Sequence, residues 1–482
     1  MSITYDFVVI GGGSAGYAAA STASKLGLKT AIVEGGEELG GLCILRGCMP
    51  SKTLLESASR FRTLRRAREF GLRAEQIAFE PKEIIARKRK LVAEFADYRV
   101  EQLESGRFDL IRGWAGFIDP HAIEVRKTNG ELLKISAKTF LIATGSKSTH
   151  IMVPGLKETG YLTSDEVLDS DQIPKSVLIL GGGPTALEFA SYYNALGSEV
   201  SLIQRSAQVL REFDPDVADS VVDAVQQHGI RVYLGTKLLR VESSPQKSPS
   251  EVANPDQKKQ SGLKVVHFEH EGEVKRVEAE EIVYAFGREP QLEGLNLQKA
   301  GQGSGLLWAD NYQQTAVPHI FAAGDAVGPH EIVHIAIQQG ELVARNAARL
   351  VRGQDGPSEP LEMIDHRLKL FGIFSEPEVA AVGKTEKELI EEGVDYETAS
   401  YPFDDHGKSL LMGETHGFVK LIVDKASREI LGGSVVGPHA VDLIHEIVVA
   451  MHFHATAGDL ARVPHYHPTL SEIWTYPAEA LM

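Results

Sequence analysis

The chain has 482 residues, 43% hydrophobic and 24% charged, the composition of an ordinary globular protein of about three domains. Its formal charge of −16 argues against nucleic acid and anionic membrane surfaces as partners, and no apolar run approaches the ~18 residues that a bilayer span requires. Only two cysteines occur, which fits a reducing cytoplasm, where a close cysteine pair is more often catalytic than structural.

YDFVVI, residues 5–10, is predicted as the first strand, so early that no signal peptide is expected ahead of it. It leads into GGGSAG, a helix from about Ser14 to Leu26, and a strand TAIVE ending at Glu34. Gly11, Gly13 and Gly16 fit G-x-G-x-x-G. The first permits a tight turn, the second lets the backbone approach a pyrophosphate, and the third lets helix and strand pack closely. The helix start offers N–H groups and a positive dipole end to that pyrophosphate. Glu34 is placed to accept from a ribose hydroxyl.

GGLCILRGCMPSK follows, with Cys43 and Cys48 separated by four residues and a helix expected to begin near Pro50. Two thiols so close can open and shut a disulfide; the plainer alternative is two buried structural cysteines. Beside a nucleotide loop, the expected electron partner is a bound flavin.

SVLIL at 176–180 repeats the plan, leading into GGGPTALE, a helix and the strand EVSLIQ. Gly181 and Gly183 hold the first two glycine positions, and Ala186 holds the third, which tolerates alanine. Two such loops suggest two dinucleotides. The stretch 243–262 is polar, Pro- and Ser-rich and aperiodic, and reads as an exposed, mobile hairpin insertion. EIVYAF then runs into Gly287-Arg288, and HIFAAGD ends at Asp325. From about 358 the alternation of FVKLIV and ILGGSVV reads as antiparallel strands, followed by the helix VDLIHEIVVAMHF and the closing HYHPTLSEIW. His452, His454, His465 and His467 lack a supporting pattern of cysteine or acid, so no metal site is expected.

These motifs, with ATGS at 143–146, AAGD at 322–325 and HPTLSE at 467–472, resemble the FAD-dependent pyridine nucleotide–disulfide oxidoreductases, nearest to the dihydrolipoamide dehydrogenase type, over nearly the whole chain. The resemblance implies an α/β fold: two Rossmann-like dinucleotide-binding domains, for FAD and NAD(P), plus a C-terminal α+β dimerisation domain. The expected divisions are 1–150 and 288–357 for FAD, 151–287 for NAD(P), and 358–482 for dimerisation. By the same resemblance Cys43 is the interchange thiol and Cys48 the thiol against the flavin. Lys52 lies near the flavin's reactive edge, paired with Glu188. Asp325 meets the FAD ribityl chain, and Arg288 lies near flavin and nicotinamide. His467 and Glu472 form the pair that reaches the disulfide of the other subunit. Ser14, Ala15, Gly41, Gly116, Thr144, Gly145 and Gly287 complete the implied cofactor contacts. An imidazole near neutral pH suits the proton transfer that thiol–disulfide exchange needs, and a carboxylate five residues on can fix its tautomer.

The implied protein is a cytoplasmic homodimeric enzyme acting on a small-molecule or lipoyl-type disulfide. A glutathione reductase-like enzyme is the runner-up, and a flavin-binding redox sensor or structural subunit the non-enzymatic alternative. Mercuric reductases add a C-terminal cysteine pair and have tyrosine in place of His467, which argues against that branch. Two positions depart from the pattern. Arg46 adds a cation between the thiols, facing either an anionic substrate or solvent. Gln204 stands where NAD enzymes carry an acid, with Arg205 and Arg211 spaced to hold a 2′-phosphate, so NADP(H) is expected here although the C-terminal part resembles NAD(H) enzymes.

Overall fold

In the computed structural model, residues 3–244, 262–303, 305–328, 330–353 and 359–482 are described. In strand Ile3–Ile10 the residues from Phe7 to Ile10 are apolar at successive positions because both faces are covered there. Phe7 and Val9 pack with Ala15, Ala19 and Ala23 of helix Ser14–Lys25 and Val343, Ala344 and Ala347 of helix Val333–Gly353. Tyr5, Val8 and Ile10 face the other way, onto Phe117, Ile123 and Ile320. The strand order is Asp109–Arg112, Thr30–Glu34, Ile3–Ile10, Leu132–Ile142, Ala122–Arg126, Trp114–Asp119. The first four are parallel, and Ile320–Ala322 adds in parallel beside Phe140–Ile142. The last two are antiparallel.

The chain divides into two compact units, one built from Met1–Ser51, Arg87–Thr149 and Arg288–Asp365, and the other from Lys52–Ala86, His150–Gly287 and His366–Met482. The sheet just described belongs to the first. The second holds three sheets. One is fully parallel, in the order Arg231–Tyr233, Glu199–Ile203, Ser176–Leu180, Glu281–Tyr284. Another is an antiparallel trio, Lys237–Ser243, Lys264–His270 and Glu273–Ala279. The third has five antiparallel strands, ordered Leu370–Ile373, Glu378–Gly383, Ile430–Gly437, Phe418–Asp424, Tyr396–Pro402. Helix Ala440–His452 covers this last sheet through Leu443, Ile444 and Ile447.

Most of the hairpin insertion expected at 243–262 lies outside the described residues. At its base Ser243 registers with Lys264, and the Ser244 amide donates to Leu263 O at 2.7 Å. The helix expected near Pro50 starts two residues earlier and runs Cys48–Arg65, which places Cys48 in its first turn.

Candidate active site

In the first unit Gly11 has φ +104°, and a Cβ there would meet Ala143 O at 2.3 Å; a Cβ on Gly16 would meet Gly11 O at 1.9 Å. Those two glycines are sterically required. Gly13 is different: a Cβ there would meet only Gly41 Cα, at 4.0 Å, an ordinary contact. Gly13 caps helix Ser14–Lys25 with no side-chain cap and no acid in the first turn, leaving the amides of Ser14 and Ala15 to an outside acceptor. Glu34 bends over this loop, its Oε2 accepting from the Gly12 amide at 2.6 Å and its Oε1 from Gly36 at 2.7 Å.

Cys43 lies in the short helix Gly41–Leu45, and both Cys43 and Cys48 stand as half-buried thiols. Arg46 pairs with Glu38 at 2.5 Å, both side chains about half exposed, a pair worth little in water. Thr144 and Gly145 follow the end of strand Leu132–Ile142, and the Thr144 Oγ1 is buried without a partner among the described residues. Ser146 Oγ donates to Asp325 Oδ2 at 2.6 Å, and Arg288 donates from Nε to Ser146 Oγ and from Nη2 to Ser146 O, each at 2.8 Å. Gly324 precedes Asp325 with φ +68°, its amide held by the buried Gln339 at 2.7 Å. Gly116 packs on Gly294 and Asn296, where a Cβ would meet Gly294 O at 2.8 Å.

The second unit repeats the loop. A Cβ on Gly181 would meet Ala285 O at 2.2 Å, Gly183 has open space, and Ala186 is fully buried where the third glycine would stand. Helix Pro184–Ala195 likewise has no side-chain cap and no acid in its first turn. Gln204 lies against Gly182, where a Cβ would meet Gln204 Cγ at 2.9 Å. The Leu210 amide donates to Gly182 O at 2.9 Å, which ties the segment carrying Arg211 to the loop. Arg205 and Arg211 are exposed. Gly287, at φ +95°, has no heavy atom near its would-be Cβ.

Lys52 Nζ bonds both oxygens of the nearly buried Glu188, at 2.8 and 3.0 Å. The Phe374 amide also donates to Glu188 Oε1 at 3.1 Å. His467 is 78% exposed, and its Nδ1 lies 3.0 and 3.2 Å from the oxygens of Glu472, which is 10% exposed. Glu472 is held inside by its neighbours Ile473 and Trp474, both fully buried, with Trp474 Nε1 donating to Leu443 O at 3.1 Å. With the proton on Nδ1 directed at the carboxylate, Nε2 is left as the accepting nitrogen. Among the other histidines, His454 pairs with Glu429 at 2.6 Å and His465 with Glu446 at 2.5 Å.

Residues 5–340 match the family model for pyridine nucleotide-disulphide oxidoreductases, and 371–478 match the dimerisation domain of the same family. The chain belongs to the pyridine nucleotide-disulphide oxidoreductases. Dihydrolipoyl dehydrogenase of Bacillus subtilis is 33% identical over 98% of this chain and 97% of its own length. Mercuric reductase of Bacillus cereus is also 33% identical, over 97% of this chain and 70% of its own length. The HOCl-induced flavoprotein disulfide reductase RclA of Escherichia coli, solved as a Cu(II) complex, superposes with a TM-score of 0.82 at 25% identity over the whole of both chains.

As a family member the protein is an FAD-dependent oxidoreductase that uses NAD(P)H. The residues present fit both cofactors: two helix starts without side-chain caps, two loops with no steric bar at the second glycine, and a Thr144 hydroxyl buried without a partner among the described residues. No described helix of this oxidoreductase is long and apolar enough to cross a membrane.

Three features escaped sequence reasoning. The Arg99 guanidinium stacks over the Tyr17 ring at 4.2 Å, with Nε and Nη1 buried and partnerless among the described residues. Burial holds it below the usual arginine range, opposed by the charges of Tyr17, Cys43 and Tyr98. Lys420 is buried among Asp214, Asp216 and Glu386, all within 2.9 Å of its Nζ. Those carboxylates are the one group of three described residues close enough to share a metal ion, and the lysine ammonium already stands among them. His406 is fully buried beside Glu472. None carries a local motif, because each is made by segments distant in sequence.

Proposed function

We propose that this oxidoreductase passes electrons between a dithiol/disulfide substrate and a pyridine nucleotide, in the manner of dihydrolipoamide dehydrogenase, as a cytoplasmic homodimer. The observation that carries the reading is the Glu472-held imidazole of His467 with its Nε2 left to accept, in a chain whose only thiols are Cys43 and Cys48. A soft metal ion as substrate would favour further thiols, and the 482 residues contain none.

FAD, when bound, takes two electrons from one partner and gives them to the other. Gly11, Gly13, Ser14, Ala15, Gly16, Glu34, Gly41, Gly116, Thr144, Gly145, Arg288 and Asp325 are assigned to hold it, in a domain of residues 1–150 and 288–357. Gly181, Gly183, Ala186, Gln204, Arg205, Arg211 and Gly287 are assigned to the pyridine nucleotide, in 151–287; residues 358–482 are assigned to dimerisation.

In disulfide reduction the Cys43 thiolate attacks one substrate sulfur. The substrate S–S bond breaks, and the leaving thiolate takes a proton from His467 of the partner subunit. The Cys48 thiolate then attacks Cys43 sulfur, expelling the second substrate thiolate and closing the Cys43–Cys48 disulfide. Dithiol oxidation runs the same steps backwards, with His467 as base. Cys48 lies at the positive end of helix Cys48–Arg65, which favours its thiolate. Lys52, one turn further along, is oriented by its hydrogen bonds to Glu188.

Parallel assays with lipoamide, glutathione disulfide and small disulfides, each with NADH and NADPH, test the reading. Lipoamide turnover above the others is expected. Turnover confined to glutathione disulfide with NADPH would move the protein to the glutathione reductase-like branch.

A further inference from the structure

Glu472 does not serve His467 alone. His406, from the turn before helix Gly407–Met412, is fully buried, and its Nε2 lies 3.5 Å from Glu472 Oε1. That nitrogen has no hydrogen-bond partner among the described residues, so Glu472 is the polar group it faces. Its Nδ1 lies 2.8 Å from the hydroxyl of Ser409, which is also fully buried. A serine hydroxyl donating to Nδ1 leaves the imidazole proton on Nε2, the nitrogen 3.5 Å from the carboxylate. Burial pushes His406 below the usual histidine range, against the pull of Glu472, so the ring stays neutral near pH 7. His467, on the other side of Glu472, lowers it further through its charge. Tyr476 presents its ring at 6.4 Å and stacks on Tyr401, whose phenol is raised to about 12 by burial and by Asp405; Asp405 accepts from that phenol at 2.8 Å.

We propose that His406 is a positioning residue for the disulfide chemistry: its buried Nε2–H faces Glu472 and sets how tightly that carboxylate holds the proton on His467. A buried carboxylate needs compensation. With both imidazoles present the compensation is shared: His467 Nδ1 lies 3.0 Å from Oε2 and 3.2 Å from Oε1, and His406 Nε2 adds its contact at 3.5 Å from Oε1. Without the His406 N–H the charge is compensated by His467 alone, which then keeps its proton to higher pH. The inference rests on the reading of His467 as the acid–base group.

The test compares wild type, His406→Leu, His406→Gln, Ser409→Ala and His467→Ala in the FAD-loaded enzyme, measuring kcat/KM for the dithiol from pH 5.5 to 9.5. His406→Leu is expected to move the acidic limb, on which His467 loses its proton to act as base, up by about one unit. His406→Gln, which keeps an N–H donor, should restore much of the wild-type profile. Ser409→Ala, which releases the tautomer without emptying the site, should show a smaller shift in the same direction, and it carries the test if the leucine variant fails to fold. A uniform loss of rate with an unmoved profile in His406→Leu and Ser409→Ala, or no change at all, overturns the role of His406. A His467→Ala enzyme with full activity overturns instead the reading on which it rests.

Discussion

A Cβ on Gly41 would sit 2.7 Å from the Cα of Gly13. The helix that carries Cys43 therefore packs backbone to backbone against the first glycine loop. Gly41 has φ +73°, so alanine there meets both backbone strain and a collision with main chain that cannot turn aside. Gly41→Ala is expected to lose roughly 2–4 kcal/mol of stability and most of its bound flavin. Gly27, at φ +83° with nothing near its would-be Cβ, is the control: Gly27→Ala should lose about 1 kcal/mol and keep its flavin. Flavin absorbance and thermal melts of the two variants check this, and equal flavin content in both would remove the contact's importance.

The two thiols should differ in spectrum. Cys48 begins helix Cys48–Arg65, while Cys43 lies within the short helix Gly41–Leu45. Cys43→Ser leaves Cys48 as a thiolate at a helix N-terminus and is expected to show a long-wavelength thiolate–flavin band without added reductant. Cys48→Ser should show none. The reverse pattern would exchange the two assignments.

His467→Ala should leave flavin reduction by pyridine nucleotide intact and slow disulfide turnover by about 10²-fold or more, the size expected for lost general acid–base catalysis. Mixing it with Cys43→Ser protein is expected to regenerate one working site per heterodimer once subunits exchange. Full activity in a strictly monomeric preparation would end the proposal that the histidine acts across a dimer.

For the nucleotide, Gln204 removes the repulsion that an acid would offer a 2′-phosphate, and Arg205 and Arg211 are exposed beside the loop. Charge-assisted bonds of roughly 1.5–3 kcal/mol each would favour NADPH by about 10²-fold. The ratio of kcat/KM for NADPH and NADH is expected to collapse in Arg205→Ala/Arg211→Ala. A wild-type preference for NADH, or an unchanged ratio, would show that these arginines do not select the cofactor.

Lys420 gives a stability prediction with a defined pH dependence. Burial alone would lower its pKa, but its hydrogen bonds to Asp216, Glu386 and Asp214 outweigh burial and raise it. Lys420→Met leaves these carboxylates without their cation, a loss of about 3–5 kcal/mol. A group raised on folding contributes fully below its unfolded value, about 10.4 for lysine, and loses that contribution as pH climbs through the folded value. The melting temperatures of wild type and variant should thus differ by a constant amount from pH 7 to 9 and converge above about pH 10.4. A gap that stays constant through pH 11 would mean that packing rather than charge is lost.

Both glycine loops could be read from sequence because a turn at positive φ, followed by an uncapped helix start, is a local requirement that few residue types meet. The strands Thr30–Glu34, Ser176–Leu180 and Phe418–Asp424 were legible for a similar reason, since burial of one or both faces is written in consecutive residues. The cysteine pair and the His467–Glu472 pair lie within short segments, and the sequence alone determined that they exist and what chemistry they suit. Tertiary structure decided what surrounds them. His406 is 66 positions from Glu472, Arg99 is 82 from Tyr17, and Lys420 is more than 200 from Asp214 and Asp216. Their roles depend on burial and on charges meeting across separate elements, and an electrostatic field in a packed interior leaves no periodicity in the chain that creates it.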